Sequence, residues 1–253
     1  MDEKKISEFQ KIIDESNKIV FFGGAGVSTE SGIPDFRSTS GLYRQQWKYP
    51  PETIVSSTFF YNNTAEFYRF YCQKMIALDA EPNECHKKLA ELEVKGKLSA
   101  VVTQNIDGLH QKAGSKTVYE LHGSVLRNHC TNPACHAFYD AQFILDEHAN
   151  LAKKTGDGVP LCKKCGSLVK PDVVLYEEGL DEKIIGGAVK AISEADTLII
   201  GGTSLVVYPA AGLVRYFSGK NLVIINLSPT DYDRNADLLL EEKIGEVFSR
   251  IKV

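Results

Sequence analysis

An α/β fold built on a parallel sheet is what the 253-residue sequence predicts, and three observations carry that expectation. Four short apolar runs, at residues 19–22, 98–102, 197–200 and 222–225, have the continuous hydrophobicity of strands buried on both faces. Each run ends in glycine or short polar residues, as a strand does where it gives way to a loop. Between the runs, apolar residues recur at helical spacing, which supplies the crossovers that a parallel sheet needs.

Residues 4–16 place Ile6, Phe9, Ile12 and Ile13 on one helical face ahead of the first strand. That strand opens the stretch IVFFGGAGVSTESGIPDFR, residues 19–37. Gly23, Gly24 and Gly26 let the backbone turn sharply and leave its N–H groups uncovered. Ser28 or Thr29 then caps the helix expected next. Strand, glycine turn and helix N-terminus together make an anion site, with pyrophosphate its usual guest. The dinucleotide fingerprint is incomplete, because Thr29 holds the third glycine position. On this stretch alone a tight turn without a ligand remains the alternative. Gly32 and Pro34 interrupt the crossover, and Phe36 and Arg37 just beyond them suit a flap over a bound cofactor.

Aromatic residues crowd residues 41–80, which read as a loop followed by one helix over about 58–78. Such a cluster packs a core or walls an apolar tunnel at a domain interface. Asn83 caps the next helix and Gly96 stops it, with His86 a structural histidine on its buried face. The second strand ends in TQNIDGLH. Gln104, Asn105 and Asp107 thus crowd beyond a carboxyl strand end, where open α/β sheets bind ligands. Asx-turn chemistry accounts for one of the three but poorly for all. In the following YELHG, His122 is a candidate general base with room left beside it by Gly123. A lone histidine in that setting is more often structural.

Cys130-x4-Cys135 and Cys162-x2-Cys165 are separated by residues 136–161. Four soft ligands in two pairs suit a tetrahedral zinc, and a full set of thiolates leaves no open position, so the metal is structural. His129 and His136 flank the cysteines as alternative ligands, whereas Cys72 and Cys85 read as small buried hydrophobes. Residues 170–178 return to extended structure. The third and fourth strands end in Gly201-Gly202-Thr203-Ser204 and Asn226-Leu227-Ser228, on the same edge as the first glycine turn if the sheet is parallel. Short polar residues there suit ribose and phosphate oxygens. Residues 237–253 read as a closing helix.

Composition bounds the function. With 43% hydrophobic and 25% charged residues the chain is of ordinary globular type. A net charge of −4 argues against a strongly nucleic-acid-binding or membrane-surface protein. The N-terminal MDEKK lacks a signal-peptide core, and the apolar run 205–214 is too short to span a bilayer and contains Pro209. With reduced cysteines, these features lead to the expectation of a cytoplasmic protein.

GAGVS with GIPDFR, then TQNIDGLH, ELHG, the paired cysteines and KPDVVLYEE follow one another in the order found in the sirtuins, NAD-dependent protein-lysine deacylases, and the chain resembles the bacterial and archaeal members of that family. The resemblance covers essentially the whole chain. It implies a Rossmann-like parallel-sheet domain (residues 1–41, 81–127 and 171–253) with an inserted small domain. The small domain would comprise a helical module (42–80) and a zinc ribbon (128–170), with the site in the cleft between the domains.

The resemblance also implies roles. Gly24, Ala25, Gly26 and Thr29 would hold the NAD pyrophosphate, with Asp35, Phe36 and Arg37 in the flap. Phe36 would shield C1′ of the nicotinamide ribose from water, and Arg37 would meet phosphate. Gln104 and Asn105 would orient ribose or water, Asp107 would bind the nicotinamide carboxamide, and Ile106 would lie beside it. Gly202, Thr203, Ser204, Asn226, Leu227, Lys243 and Ile244 would complete the NAD site, Asn226 at the adenosine ribose. His122 would be the catalytic base, acting with Asn105 and Asp107. The acyl oxygen of the acyl-lysine would attack C1′ as nicotinamide leaves. His122 would then activate a ribose hydroxyl, and the products would be free lysine and O-acyl-ADP-ribose. Val173, Val174, Leu175 and Tyr176 would bind the peptide by β-augmentation. Zinc on Cys130, Cys135, Cys162 and Cys165 would hold the small domain together.

Two departures stand out. Glu177 replaces the family's usual glycine, which bears on the local turn and on the peptide's charge. Tyr68 and Tyr71 occupy the positions of a Tyr-x-x-Arg pair that marks succinyl- or malonyl-selective members. The missing arginine disfavours acidic acyl groups, leaving acetyl and longer apolar groups as expected substrates. Two other classes stay open: a protein mono-ADP-ribosyltransferase on the same fold, and a non-catalytic zinc-ribbon module that binds NAD or nucleic acid.

Overall fold

The computed structural model describes residues 2–38 and 41–253; Met1, Thr39 and Ser40, within or beside the expected flap and first segment, lie outside the described residues. The large sheet contains β1 (Ile19–Gly23), β2 (Leu98–Thr103) and β3 (Val118–Glu120), with three strands from the C-terminal half of the chain. The small sheet contains β4 (Gly123–Cys130), β5 (Phe138–Tyr139) and β6 (Val169–Val173). The remaining strands are β7 (Thr197–Gly201), β8 (Asn221–Ile225) and β9 (Leu238–Leu240). The large sheet has the order β3-β2-β1-β7-β8-β9 and all its pairings are parallel. The small sheet, β5-β4-β6, is antiparallel. This is a Rossmann-like α/β fold with a separate small unit.

Register explains where a ligand can go. Gly23 pairs with both Thr103 and Gly201, and Gly201 pairs with Ile225. The carboxyl ends of β1, β2, β7 and β8 therefore lie level along one edge. Strand order reverses about β1: β2 and β3 are added on one side and β7, β8 and β9 on the other, which opens a crevice at that edge.

Alternation along the strands feeds two core layers. Phe21, Val101, Ile199 and Val223 face α1 (Glu3–Glu15) and its neighbours through Phe9, Ile13 and Phe248. Phe22, Val102, Ile200 and Ile224 face the other way, toward Ala188 and Ile192. A third core, rich in aromatic rings, joins the helical module to the small sheet.

That module is not the single helix expected over 58–78. It holds α2 (Pro51–Ile54), α3 (Ser57–Asn62) and α4 (Thr64–Lys74). Asn63, at φ −137° and ψ 46°, leaves helical geometry between the last two. Ser56 starts α3 by accepting from the Phe59 N–H. α5 (Glu84–Val94) does begin at Asn83, with a reciprocal cap in which the His86 ring accepts from the Asn83 N–H, and Gly96 follows it at φ 73°. α6 (Leu109–Ala113), α7 (Ala141–Lys154) and α8 (Glu182–Glu194) come next. The closing segment also differs from expectation. Its Leu238–Leu240 stretch pairs with β8 as the edge strand β9, burying Leu238 and Leu240, and only then does α9 (Ile244–Arg250) form.

The His86 and His110 rings meet at a tilt of 57°, 4.7 Å between centroids, with His110 against Phe21 of β1. Among the described residues, His86 Nε2 and both His110 nitrogens have no hydrogen-bond partner. Burial pushes the His86 pKa down to about 4 and that of His110 well below its ordinary 6.5. Both rings are therefore neutral when folded, while in the unfolded chain they take up protons below about pH 6.5. Stability from this source is complete above that pH and is lost as pH falls, at ~1.4 kcal/mol per pH unit per histidine. Denaturant titrations at pH 7.5 and pH 5.0 should show the wild type losing about 4 kcal/mol more than a His86→Gln/His110→Gln variant. Equal losses would rule the pair out as the acid-labile element.

Candidate active site

Two glycine turns meet backbone to backbone at the crevice. The Gly26 N–H donates to the Gly202 carbonyl at 2.8 Å. A Cβ on Gly26 would lie 2.8 Å from Gly202 Cα, and one on Gly202, whose φ is 58°, would lie 2.3 Å from the Val27 nitrogen. Only glycine fits this close approach. The helix expected after the first turn is absent. Ala25–Val27 and Thr29–Ser31 form separate 3-10 turns without side-chain caps. Ser28 has another use, since its hydroxyl donates to Asp107 Oδ2 at 2.6 Å and accepts from Asn105 Nδ2 at 3.1 Å.

This serine ties the TQNIDGLH motif to the glycine turn. Asp107 Oδ1 also accepts from the Leu109 N–H. Burial raises the Asp107 pKa, and the Ser28 hydrogen bond acts against that rise. Gln104 Nε2 donates to Thr203 Oγ1 at 3.0 Å, while Asn226 and the Thr203 backbone exchange two hydrogen bonds, at 3.0 and 3.1 Å. Side chains beyond β2, β7 and β8 are thereby locked into one row.

His122 stands where the two sheets meet. The following Gly123, at φ 72°, brings β4 so close to β6 that a Cβ would lie 1.8 Å from the Asp172 carbonyl oxygen. His122 Nδ1 lies 3.0 Å from the Gln104 carbonyl oxygen. A carbonyl only accepts, so Nδ1 carries the proton and Nε2 keeps its lone pair. Burial lowers the His122 pKa, against the opposing effect of the Gln104 contact. The neutral ring is thus a base already at neutral pH.

The flap residues Asp35, Phe36 and Arg37 line the same crevice. Asp35 Oδ1 accepts from the N–H groups of Arg37 and Ser38. Phe36 packs on Tyr43 at 5.4 Å, and the Arg37 guanidinium lies over the same ring at 5.2 Å. Tyr43 in turn meets Tyr176, oxygen to oxygen, at 3.2 Å. Opposite the flap, the N–H groups of Val174 and Tyr176 donate to His122 and Val55, and that of Leu175 donates to Glu178. A peptide pairing along 173–176 must therefore use carbonyls there or displace one of these bonds.

A cleft of about 610 Å³ contains every residue expected to serve in catalysis, NAD binding or peptide binding, from Gly24 to Ile244. Ser28, Glu30, Val207 and Tyr208 also line it, and the sequence reading did not assign them to the site. Ser28 sits inside GAGVS, so its position in the motif was the available signal. Glu30 binds the Gly245 N–H at 2.6 Å and anchors the start of α9. Tyr68 and Tyr71, by contrast, are fully buried in the aromatic core and do not line the cleft; the Tyr68 hydroxyl donates to the Val169 carbonyl.

Far from these residues in sequence pattern but joined through β4 and β6, the four cysteine sulfurs of the ribbon lie within 4.8 Å of one another. Two pairs, Cys130–Cys165 and Cys135–Cys162, stand at 3.4 and 3.6 Å. Tetrahedral zinc with bonds of 2.3 Å requires sulfurs about 3.8 Å apart, so the set fits the ion. His129 and His136 are not part of the cluster. The Tyr139 hydroxyl donates to Cys162 and accepts from the Lys163 N–H, a supporting shell for the ligand.

Fold and site together define a dinucleotide-fold protein with a neutral histidine lining its cleft and a four-cysteine cluster suited to zinc. The Sir2 family model matches residues 24–209, and the chain belongs to the Sir2 family. It is 58% identical to an NAD-dependent protein deacetylase of Clostridium acetobutylicum, over 98% of both chains, and 49% identical to one of Cutibacterium acnes, over 95% of this chain and 94% of that protein. Among solved structures it resembles a Sir2 with a p53 peptide and NAD+ (TM-score 0.83, 40% identity, 99% and 97% of the two chains). It also resembles a Sir2 bound to a propionylated peptide (TM-score 0.84, 39% identity, 97% and 96%).

Proposed function

We propose that this protein is an NAD-dependent protein-lysine deacetylase that yields nicotinamide, free lysine and O-acetyl-ADP-ribose. The observation that carries the reading is His122, whose Nδ1 is taken by the Gln104 carbonyl, leaving Nε2 as the basic nitrogen, and which lines the same cleft as the Asn105–Ser28–Asp107 network. A transferase to an external protein nucleophile has no need of a base directed at the ribose, and a binding module has none for either. The relatives' names and the peptide complexes of its structural neighbours support the same reading.

NAD as co-substrate supplies an electrophilic ribose carbon and a leaving nicotinamide. In this reading the Gly24–Gly26 turn holds the pyrophosphate, Asp107 receives the carboxamide, and Thr203 and Asn226 border the adenosine end with Ser204, Leu227, Lys243 and Ile244. Arg37 leaves the Tyr43 ring to meet phosphate, and Phe36 keeps water from the reacting carbon. His122 Nε2 takes the proton from a ribose hydroxyl. The acyl-lysine peptide lies along Val173, Val174, Leu175 and Tyr176. A sheet domain with an inserted small domain is part of this reading, with the cleft between them; the expected bounds at 127/128 and 170/171 fall inside β4 and β6, so the small unit takes both strands whole. No helix among the described residues is long and apolar enough to cross a membrane. A cytoplasmic setting, which keeps the four thiols reduced, and the lack of a nucleic-acid partner are part of this reading.

Incubation with NAD and an acetyl-lysine peptide should give lysine and acetylated ADP-ribose in equal amounts by mass spectrometry. ADP-ribose attached to protein, without loss of acetyl groups, would favour the transferase instead. The cleft offers no arginine in the helical module to pair an acidic acyl group, so succinyl-lysine should react at least about tenfold more slowly than acetyl-lysine. Equal rates would contradict that preference.

A further inference from the structure

Glu177 follows the 173–176 segment directly and lines the same cleft, exposed to solvent. Its φ is 79°, in the left-handed region that residues with a Cβ rarely enter. Its own N–H and C=O form no backbone hydrogen bond among the described residues, so the chain passing this point is open to an extended partner. The two adjacent acids differ in what they touch. Glu178 is consumed by the fold: it pairs with Lys170 at 3.0 Å and accepts from the Leu175 N–H and the Ser57 hydroxyl. Glu177 has no ion-pair partner among the described residues; it accepts from the Thr58 N–H at 2.8 Å and also meets the Thr58 side chain. The Thr58 N–H, and after it the Thr58 side chain, hold the carboxylate in place and lower its pKa, so the group stays ionised. Contacts with this one neutral residue leave acceptor capacity on the carboxylate unused and its charge unpaired.

We propose that Glu177 is a specificity-determining residue of this site, selecting protein substrates that carry an arginine or lysine close to the acyl-lysine. The proposal rests on the deacetylase reading. An acidic neighbour in the peptide meets an uncompensated negative charge, and a basic one supplies the missing partner. The pair is solvent-exposed, so its effect is modest and screened by salt.

Three acetyl-lysine peptides test it, identical except that the residues flanking the acetyl-lysine are arginine, alanine or glutamate. In the wild type, kcat/KM should favour the arginine peptide over the glutamate peptide by about tenfold at low salt. Glu177→Gln keeps an acceptor for the Thr58 N–H but removes the charge, and should bring the ratio to about one. Glu177→Lys should invert it. Glu177→Gly relieves the left-handed backbone and should also lose the preference, which separates charge from misfolding. A ratio of one in the wild type, or an unchanged preference in the Gln and Lys variants, overturns the role of Glu177 alone. No turnover of any peptide overturns the deacetylase reading beneath it.

Discussion

Replacing His122 with asparagine is expected to lower kcat for deacetylation by about 10²–10⁴-fold, the range typical of a lost general base. Exchange of labelled nicotinamide into NAD should survive, because nicotinamide leaves before a ribose hydroxyl has to be deprotonated. The split follows from geometry. Nδ1 is committed to the Gln104 carbonyl, so the ring has one basic nitrogen and one direction in which to use it. Burial lowers the pKa from its ordinary 6.5, which keeps the base form populated at neutral pH. The acid limb of the wild-type kcat/KM profile should therefore fall below pH 6.5 and vanish in the variant. Loss of exchange and deacetylation in equal measure would show that His122 positions NAD rather than removing a proton.

The second large effect concerns the metal. Cys162→Ser, or removal of the ion by a chelator, should release one zinc per chain and unfold the small sheet. The apparent binding energy of such sites, ~10–16 kcal/mol in small zinc domains, exceeds what a short antiparallel sheet supplies by itself. β4 and β6 run directly from the cysteines to the turn that positions His122 and to the 173–176 segment. Zinc loss should therefore abolish deacetylation although no cysteine lines the cleft. Metal analysis with near-ultraviolet circular dichroism follows both events. Full activity in a zinc-free protein would refute a structural role.

Much of the site was legible because its causes are local. A glycine forced by close backbone approach, as at Gly26 and Gly202, leaves a mark in the sequence at the position concerned. So does a row of polar residues at a strand end, as at Gln104, Asn105 and Asp107, and so does a pair of cysteines. The failures have non-local causes. The break at Asn63 lies within a run of aromatic residues whose helical pattern continues across it. Leu238–Leu240 is three residues long, too short for periodicity to separate strand from helix, and is a strand because β8 offers an open edge. Ser28 and Thr29 look like caps in the sequence, but neither caps the short turns there, and the Ser28 hydroxyl meets an aspartate 79 residues away. The Tyr43–Tyr176 contact joins residues with no shared motif. Glu177 was visible as a departure from the family pattern, and its left-handed backbone shows why glycine is usual there.

The central claim is that one cleft couples breakage of NAD to an acyl-lysine peptide. Release of nicotinamide from NAD by the purified protein, measured with and without an acetyl-lysine peptide, tests it most directly. The account predicts release that requires the peptide and matches the acetyl groups lost. Equal release without the peptide, or none in either condition from zinc-loaded protein, would contradict it.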